Sequence, residues 1–482
     1  MIDGRLSSGW TWPAVVGALA LGLVPAMSAG QGFGLNDVGS CAVGRAYAAT
    51  GAPCQDASVI YWNPGAAPSL RGFSFYGGAA PIGVAGGFTA DTTGHRYASN
   101  APVAVPPHVF VNYAGQLGGR AASAGIGLYV PYGLTSQWPA SFPGRFEAQK
   151  ASLQTFYIQP NVAIEVVRHV LTLGGGPVIG HSTVELDQAL DLAAAPVAAP
   201  GVPPGTTFGL LGVAPGTQFG LATITGGATA VGWTVGAMLH ATSDVQIGAR
   251  FLSAMTFHYD AGTATFKETP TGLVLATGNP VGLPPGTPVD ALLAPQFAAG
   301  GPLGRQGART RIVHPLQAEG GIGYTGLPGT TVDLDVAYTG WQSFETLPLV
   351  FTGPAALAGL NRTLLENYGD SWSVRLGAEH LFGDSARGIT GRAGFSYATT
   401  PAPPVTVTPL LPDMNRFNGA VGVGFPLTRA VGLDAAYLHV FTRGRRGRIT
   451  ERTSPAQTAA ELNSGFYDLA ANVFSASLRL HL

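Results

Sequence analysis

Charge is what this chain has least of. Charged residues fill 11% of its 482 positions and the formal net charge is -1, against roughly 25% charged residues in an ordinary soluble domain. A chain so poor in cations offers no basic surface for nucleic acid. Disorder is excluded from the other side, because 46% of the residues are hydrophobic. Cysteine is almost absent: Cys41 and Cys54 are the only two, and in an oxidising compartment they either close a disulfide or stay as two buried thiols. No His, Asp or Glu clusters around them at ligand spacing, so no metal is expected. Behind the N-terminal leader there is no run of ~18 apolar residues, so a membrane would have to be crossed by strands. Catalytic signatures are missing too, with no GxSxG, no HExxH and no P-loop. His181 with Ser182 and Asp187 is the one arrangement worth checking, and neither an enzyme nor a cofactor is expected.

Glycine is there in abundance, 70 residues. The first thirty residues carry Arg5, an apolar run from Trp12 to Met27 and small residues near Ser28 and Gly30, the pattern of a secretory signal. Residues 31–70 are Gly- and Ala-rich and keep neither a period of 2 nor of 3.6, so they must pack inside something larger, as a plug. Residues 71–482 break into fourteen stretches of alternating apolar and small or polar residues. They lie near 71–82, 106–114, 121–131, 151–165, 169–180, 227–240, 244–258, 311–325, 330–342, 370–382, 388–398, 415–426, 430–441 and 467–482. Connections between them alternate short and long, and the long ones include 181–226 and 259–310. Tight turns on one side and long loops on the other are expected of an all-β, fourteen-stranded antiparallel transmembrane barrel with an N-terminal hatch in its lumen.

Strand parity gives the facing. Trp372, Val374, Leu376 and Ala378 would meet lipid while Arg375 and Glu379 enter the lumen; Val332, Leu334 and Val336 oppose Asp333 and Asp335. The lumen arginines Arg250, Arg375 and Arg392 serve either as partners of Glu319, Asp333, Asp335 and Glu379 or as anchors for a substrate carboxylate. The two longest loops are apolar, and a capped helix is expected at Thr287, Pro288 and Asp290. Phe208, Leu210, Leu211, Phe219, Leu292, Leu293 and Phe297 either cover the barrel mouth or also leave a groove where a hydrocarbon lands. Arg443 to Arg448 form a basic run in the last long loop, and outer-leaflet phosphates are a natural counter-charge for it.

Taken together, these motifs resemble the FadL/TodX (OMPP1) family of outer-membrane long-chain fatty acid and hydrocarbon transporters. The resemblance rests on Phe33, Leu35 and Asn36, on Gly44 to Tyr47, on Asn63-Pro64, and on the segments Val332 to Phe344, Asp370 to Phe382, Arg392 to Pro403 and Leu410 to Arg416. Gly65 stands where the family usually has Ala, and Leu482 replaces the frequent terminal aromatic. The resemblance implies a bacterial outer-membrane, multi-pass, monomeric protein among outer-membrane lipid and lipopolysaccharide. Its implied work is passive uptake of a fatty acid or similar hydrophobic ligand, by capture at the loops, an apolar lumen site touching Phe33, and lateral release. Release would occur where Asn63 and Pro64 face an inward kink of the third strand, in the region of Gly125 to Pro131. Aromatic hydrocarbon or alkane uptake is the close alternative, with a general porin or an esterase further away.

Overall fold

Alternation at period 2 becomes fourteen long strands whose ladders run round in sequence order and close on themselves. The structure is a computed structural model and describes residues 32–353, 360–384, 388–447 and 464–482; the expected signal segment and Arg448 lie outside them. The barrel strands are β1 (Gly72–Ala79 and Ile82–Ala90), β2 (Pro107–Leu117), β3 (Arg120–Tyr129 and Gly133–Gln137), β4 (Lys150–Val167), β5 (Leu171–Asp191), β6 (Gln218–His240) and β7 (Val245–Leu252 and Met255–Glu268). They continue as β8 (Gln306–His314 and Gln317–Leu327), β9 (Thr330–Thr339), β10 (Ser371–Phe382), β11 (Ile389–Ala398), β12 (Arg416–Pro426), β13 (Val431–Thr442) and β14 (Gly465–His481). All pairs are antiparallel, and β1 pairs with β14 from Ser74↔His481 to Ala90↔Gly465, so the barrel wall closes on itself without an open edge among the described residues.

The lipid belt is legible on single strands. Trp372, Val374 and Leu376 are exposed on β10, while Arg375 is buried. On β9, Leu334 and Val336 are exposed and alternate with Asp333 and Asp335, each of which has a relative accessibility of 0%. On β4 the outward apolar set runs from Val166 to Phe156 and then gives way to Gln154 and Ser152. Ten residues at about 3.4 Å rise and a tilt of about 40° span roughly 26 Å, the height of a hydrocarbon belt.

Four strands outrun the sequence reading. β5 has 21 residues and β6 has 23, and β7 and β8 reach Glu268 and Gln306. The connections expected at 181–226 and 259–310 are therefore 192–217 and 269–305. Polar residues on the outward face above the belt hide the continuation, because alternation between Thr or Glu and small residues reads as loop. The loop helix runs Val289–Phe297 with Pro288 in the N-cap position and no side-chain cap; Asp290 instead accepts from the backbone N–H groups of Thr271 and Gly272.

Candidate functional site

Residues 33–70 fill the lumen, and almost every one of them is buried against the inner face of the wall. Their middle is tied by ionic groups. Arg45 donates to Asp333 at 3.1 Å, both side chains being fully buried. Asp335 accepts the backbone N–H groups of Ala49, Thr50 and Gly51 at 2.8, 2.8 and 2.9 Å. Glu319 accepts from the Thr50 hydroxyl, from Arg250 at 3.0 Å and from Arg375 at 3.2 Å. Cys41 and Cys54 are joined by a disulfide that spans this same stretch.

The C-terminal end of the plug is held by Asn63. Its side chain accepts from Gly65 N–H at 3.1 Å and donates to the carbonyls of Thr50 at 3.1 Å and Ala237 on β6 at 3.0 Å. The turn it caps, Pro64–Ser69, lies against β5 and β6. A Cβ at Gly65 would sit 2.7 Å from the Gly236 carbonyl oxygen, so alanine could enter only if the wall moved.

The N-terminal end meets a break in the wall. Between Tyr129 and Gly133, β3 loses its ladder at Val130, Pro131 and Tyr132, because Pro131 has no N–H to give. The plug supplies the missing partners: Gly133 N–H donates to the Phe33 carbonyl and Leu35 N–H to the Pro131 carbonyl, both at 2.8 Å. The Phe33 ring packs edge-on against Trp341 and Phe344, at centroid distances of 4.7 and 5.2 Å. The structure thus separates two features that the resemblance had placed face to face. The break in β3 faces Phe33 and Leu35, whereas Asn63 and Pro64 face Gly174 and Gly236 on β5 and β6. Gly125 stays in register with both neighbouring strands.

Beside Phe33 lies an apolar cavity of about 80 Å³. Phe33, Leu153, Leu186, Ile312, Phe344 and Leu411 form much of its wall, and Glu185, its one ionic group, is paired with Lys150 at 2.8 Å. On the other side of the same plug segment a polar cavity of about 30 Å³ is lined by Asn36, Asp37, Tyr47, Arg375, Arg416 and Asn418. Burial pushes the Asp37 carboxyl up to about 6, although the Tyr47 hydroxyl bonded to it at 2.7 Å and the Arg416 charge pull it down. Asp56, farther along the plug, is likewise pushed up to about 6 by burial.

The residues singled out from sequence fall into three groups. Phe33 lines the apolar cavity. Phe208, Phe219 and Leu293 are buried in a separate cluster under the long loops, with Leu211, Leu292 and Phe297 packed against it, while Leu210 is exposed; none of them touches the cavity. Arg250, Arg375 and Arg392 all face the lumen and all hold protein carboxylates, Arg392 reaching Glu379 at 3.1 Å and Asp434 at 2.7 Å. Arg250 also covers the ring of Tyr61 at 4.1 Å. Sequence reasoning missed Leu153, Leu186, Ile312, Phe344 and Leu411 as cavity residues. Inward parity was a signal for those on strands, but Phe344 and Leu411 lie in connections where parity says nothing. His181 is exposed on the outer face while Ser182 is buried on the inner one, so the pair has no common site.

A wall of fourteen tilted strands, an apolar outer belt and a lumen closed by its own N-terminal segment define a plugged outer-membrane β-barrel. The chain belongs to the family described as outer membrane protein transport protein (OMPP1/FadL/TodX), whose pattern it matches over residues 22–481. It is 25% identical over 461 residues to a long-chain fatty acid transport protein of Escherichia coli O6:H1, covering 92% of this chain and 94% of that one. A 47 kDa outer membrane protein of Pasteurella multocida is 24% identical over 469 residues, with 94% and 96% covered. Among solved structures, a Pseudomonas aeruginosa FadL homologue superposes with a TM-score of 0.72 at 19% identity, over 93% of this chain and 99% of that one. The P. putida toluene transporter TodX superposes with a TM-score of 0.62 at 13% identity, with the same coverage.

Proposed function

We propose that this barrel takes up long-chain fatty acids or similar hydrophobic compounds across the outer membrane, passively, as a monomer and with no chemistry of its own. The observation that carries the reading is the apolar cavity beside Phe33, whose backbone is at the same time the partner of the broken β3. A ligand entering the cavity displaces the ring, and displacing the ring withdraws the two hydrogen bonds that seal the wall at Pro131. An acyl chain gains roughly 0.8 kcal/mol per CH₂ on leaving water, so release sideways into the membrane avoids returning that free energy. The long loops make the first apolar contact, and residues 33–70 act as the gate.

A second reading, uptake of uncharged aromatic or aliphatic hydrocarbons, is favoured by one feature: no unpaired cation lines the apolar cavity among the described residues. Competition decides between the two. In a host lacking its own uptake protein, labelled oleate should enter only when this chain is present, and excess toluene should compete weakly. Oleate uptake equal to that of the empty host would end the fatty-acid reading, and toluene uptake in the same cells would then establish the other. Steady large conductance in planar bilayers would overturn both in favour of an open pore.

A further inference from the structure

A row of exposed cations lies far from the lumen. On the outward face of β8, Arg311 and Arg309 are two residues apart, and Arg305 continues the row just before the strand begins. Each is exposed, and no side chain of the three has a hydrogen-bond or ion-pair partner among the described residues. His258 of β7 stands directly opposite Arg311 in the ladder, and exposed Lys267 lies farther up the same strand. Asp260 is the exposed acid on the outward face of β7, so cations outnumber acids there. Of the basic run expected to face the membrane, two arginines are spent on the protein itself: Arg446 pairs with Asp91, and Arg445 bonds to Thr400 and the Asp413 carbonyl.

Height places the row. Tyr324, exposed near the short-turn end of β8, and Ile322 begin its lipid face, which ends at Val313. From Tyr324 to Arg311 the strand climbs about 34 Å at a tilt of about 40°, past the top of a belt about 25 Å tall. On the neighbouring strands the upper part of the belt holds exposed Val231 and Trp233, the Trp233 ring lying tilted against Phe251 at 5.0 Å. Arg311 and Arg309 therefore stand at the headgroup level on the side of the long loops, pointing out of the barrel.

We infer that Arg305, Arg309 and Arg311 form a binding site for the phosphate groups of the phosphorylated glycolipid of the outer leaflet. Three guanidinium groups on one strand face, with donors free and water on only one side, suit phosphate oxygens taken in pairs. The acyl chains of the same lipid would lie down the apolar face of β7 and β8, along Val313, Phe251 and Ile322. The site is separate from the lumen, so its occupancy and the transport reading stand or fall independently.

The full-length protein in detergent is titrated with diphosphoryl lipid A and with its dephosphorylated form, by native mass spectrometry. Wild type should bind the diphosphoryl form about tenfold or more tightly, with affinity falling as salt rises, since each arginine near an anionic surface contributes about fivefold. R309A/R311A should erase most of that preference, and R309K/R311K should keep part of it, because charge survives while the paired geometry is lost. Equal affinity of wild type for the two lipids would overturn the proposal, whatever the variants do. So would a loss in R309A/R311A that is the same for both lipids, which would mean packing rather than phosphate recognition. Oleate uptake by the variant should match wild type.

Discussion

The two halves of the plug are held by different forces. From Arg45 to Gly51 it is fastened to the wall by buried charge: Arg45 on Asp333, three backbone N–H groups on Asp335, Thr50 on Glu319. From Phe33 to Leu35 it is held by two backbone hydrogen bonds and the apolar contacts of the Phe33 ring and the Leu35 side chain. Charge buried with its partner has no cheap alternative arrangement, since separating the pair strands an ion in a dry lumen. A ring among rings can be replaced by another apolar group at little cost. The comparison says which end of the plug a hydrophobic ligand can move.

The largest blow to the contrast should come from Arg45→Ala. Asp333 is then left buried without its cation, and about 3–5 kcal/mol of stability should be lost, read as a drop in the denaturant midpoint of the refolded barrel. The double change R45A/D333N should recover most of it; no recovery would mean that the pair is not what anchors the middle. Phe33→Ala should act at the other end and stay local. Truncating a buried ring costs about 3 kcal/mol, so exchange of the Leu35 and Gly133 amides should speed by roughly a hundredfold while the global midpoint hardly moves. Global destabilisation of the same size would erase the distinction between the two ends.

Opening the disulfide by C41S/C54S should have an intermediate effect, about 2–3 kcal/mol for so short a loop, with protection lost between residues 41 and 54 and retained at Asn63. The smallest effect is the response to pH. Asp37 and Asp56 have folded-state values near 6, above an ordinary carboxyl at 3.8. Their contribution is therefore fully present below about 3.8 and is lost as pH rises through 6. Asp37→Asn should flatten the decline in plug stability between about pH 4 and 6, followed by amide exchange of residues 33–47; an unchanged slope would mean that folding does not raise the Asp37 carboxyl.

Most of the wall was readable without coordinates, for a physical reason. Lipid on one side and a polar lumen on the other impose period 2 on every residue of a strand, so the facing of Trp372, Arg375, Asp333 and Asp335 follows from position alone. The reading stopped where that constraint stops. Above the belt the outward face turns polar as well, and the upper parts of β5 to β8 passed for loop. The loop residues Phe208, Phe219 and Leu293 were recognised as apolar, but hydrophobicity does not say whether a side chain lines a cavity or fills one, and these fill one.

What the sequence by itself determined is the barrel, its strand count, its lipid and lumen faces, and the presence of a segment that must sit inside. Local pattern and the cost of unpaired backbone in a membrane suffice for that. Only the tertiary structure decided which carboxylate each arginine takes, where Phe344 and Leu411 come together, and that the break at Pro131 is answered by Phe33 and Leu35 and not by Asn63. Those outcomes depend on contacts between residues up to several hundred positions apart, and no period in a chain records which distant strand a side chain will face across a lumen.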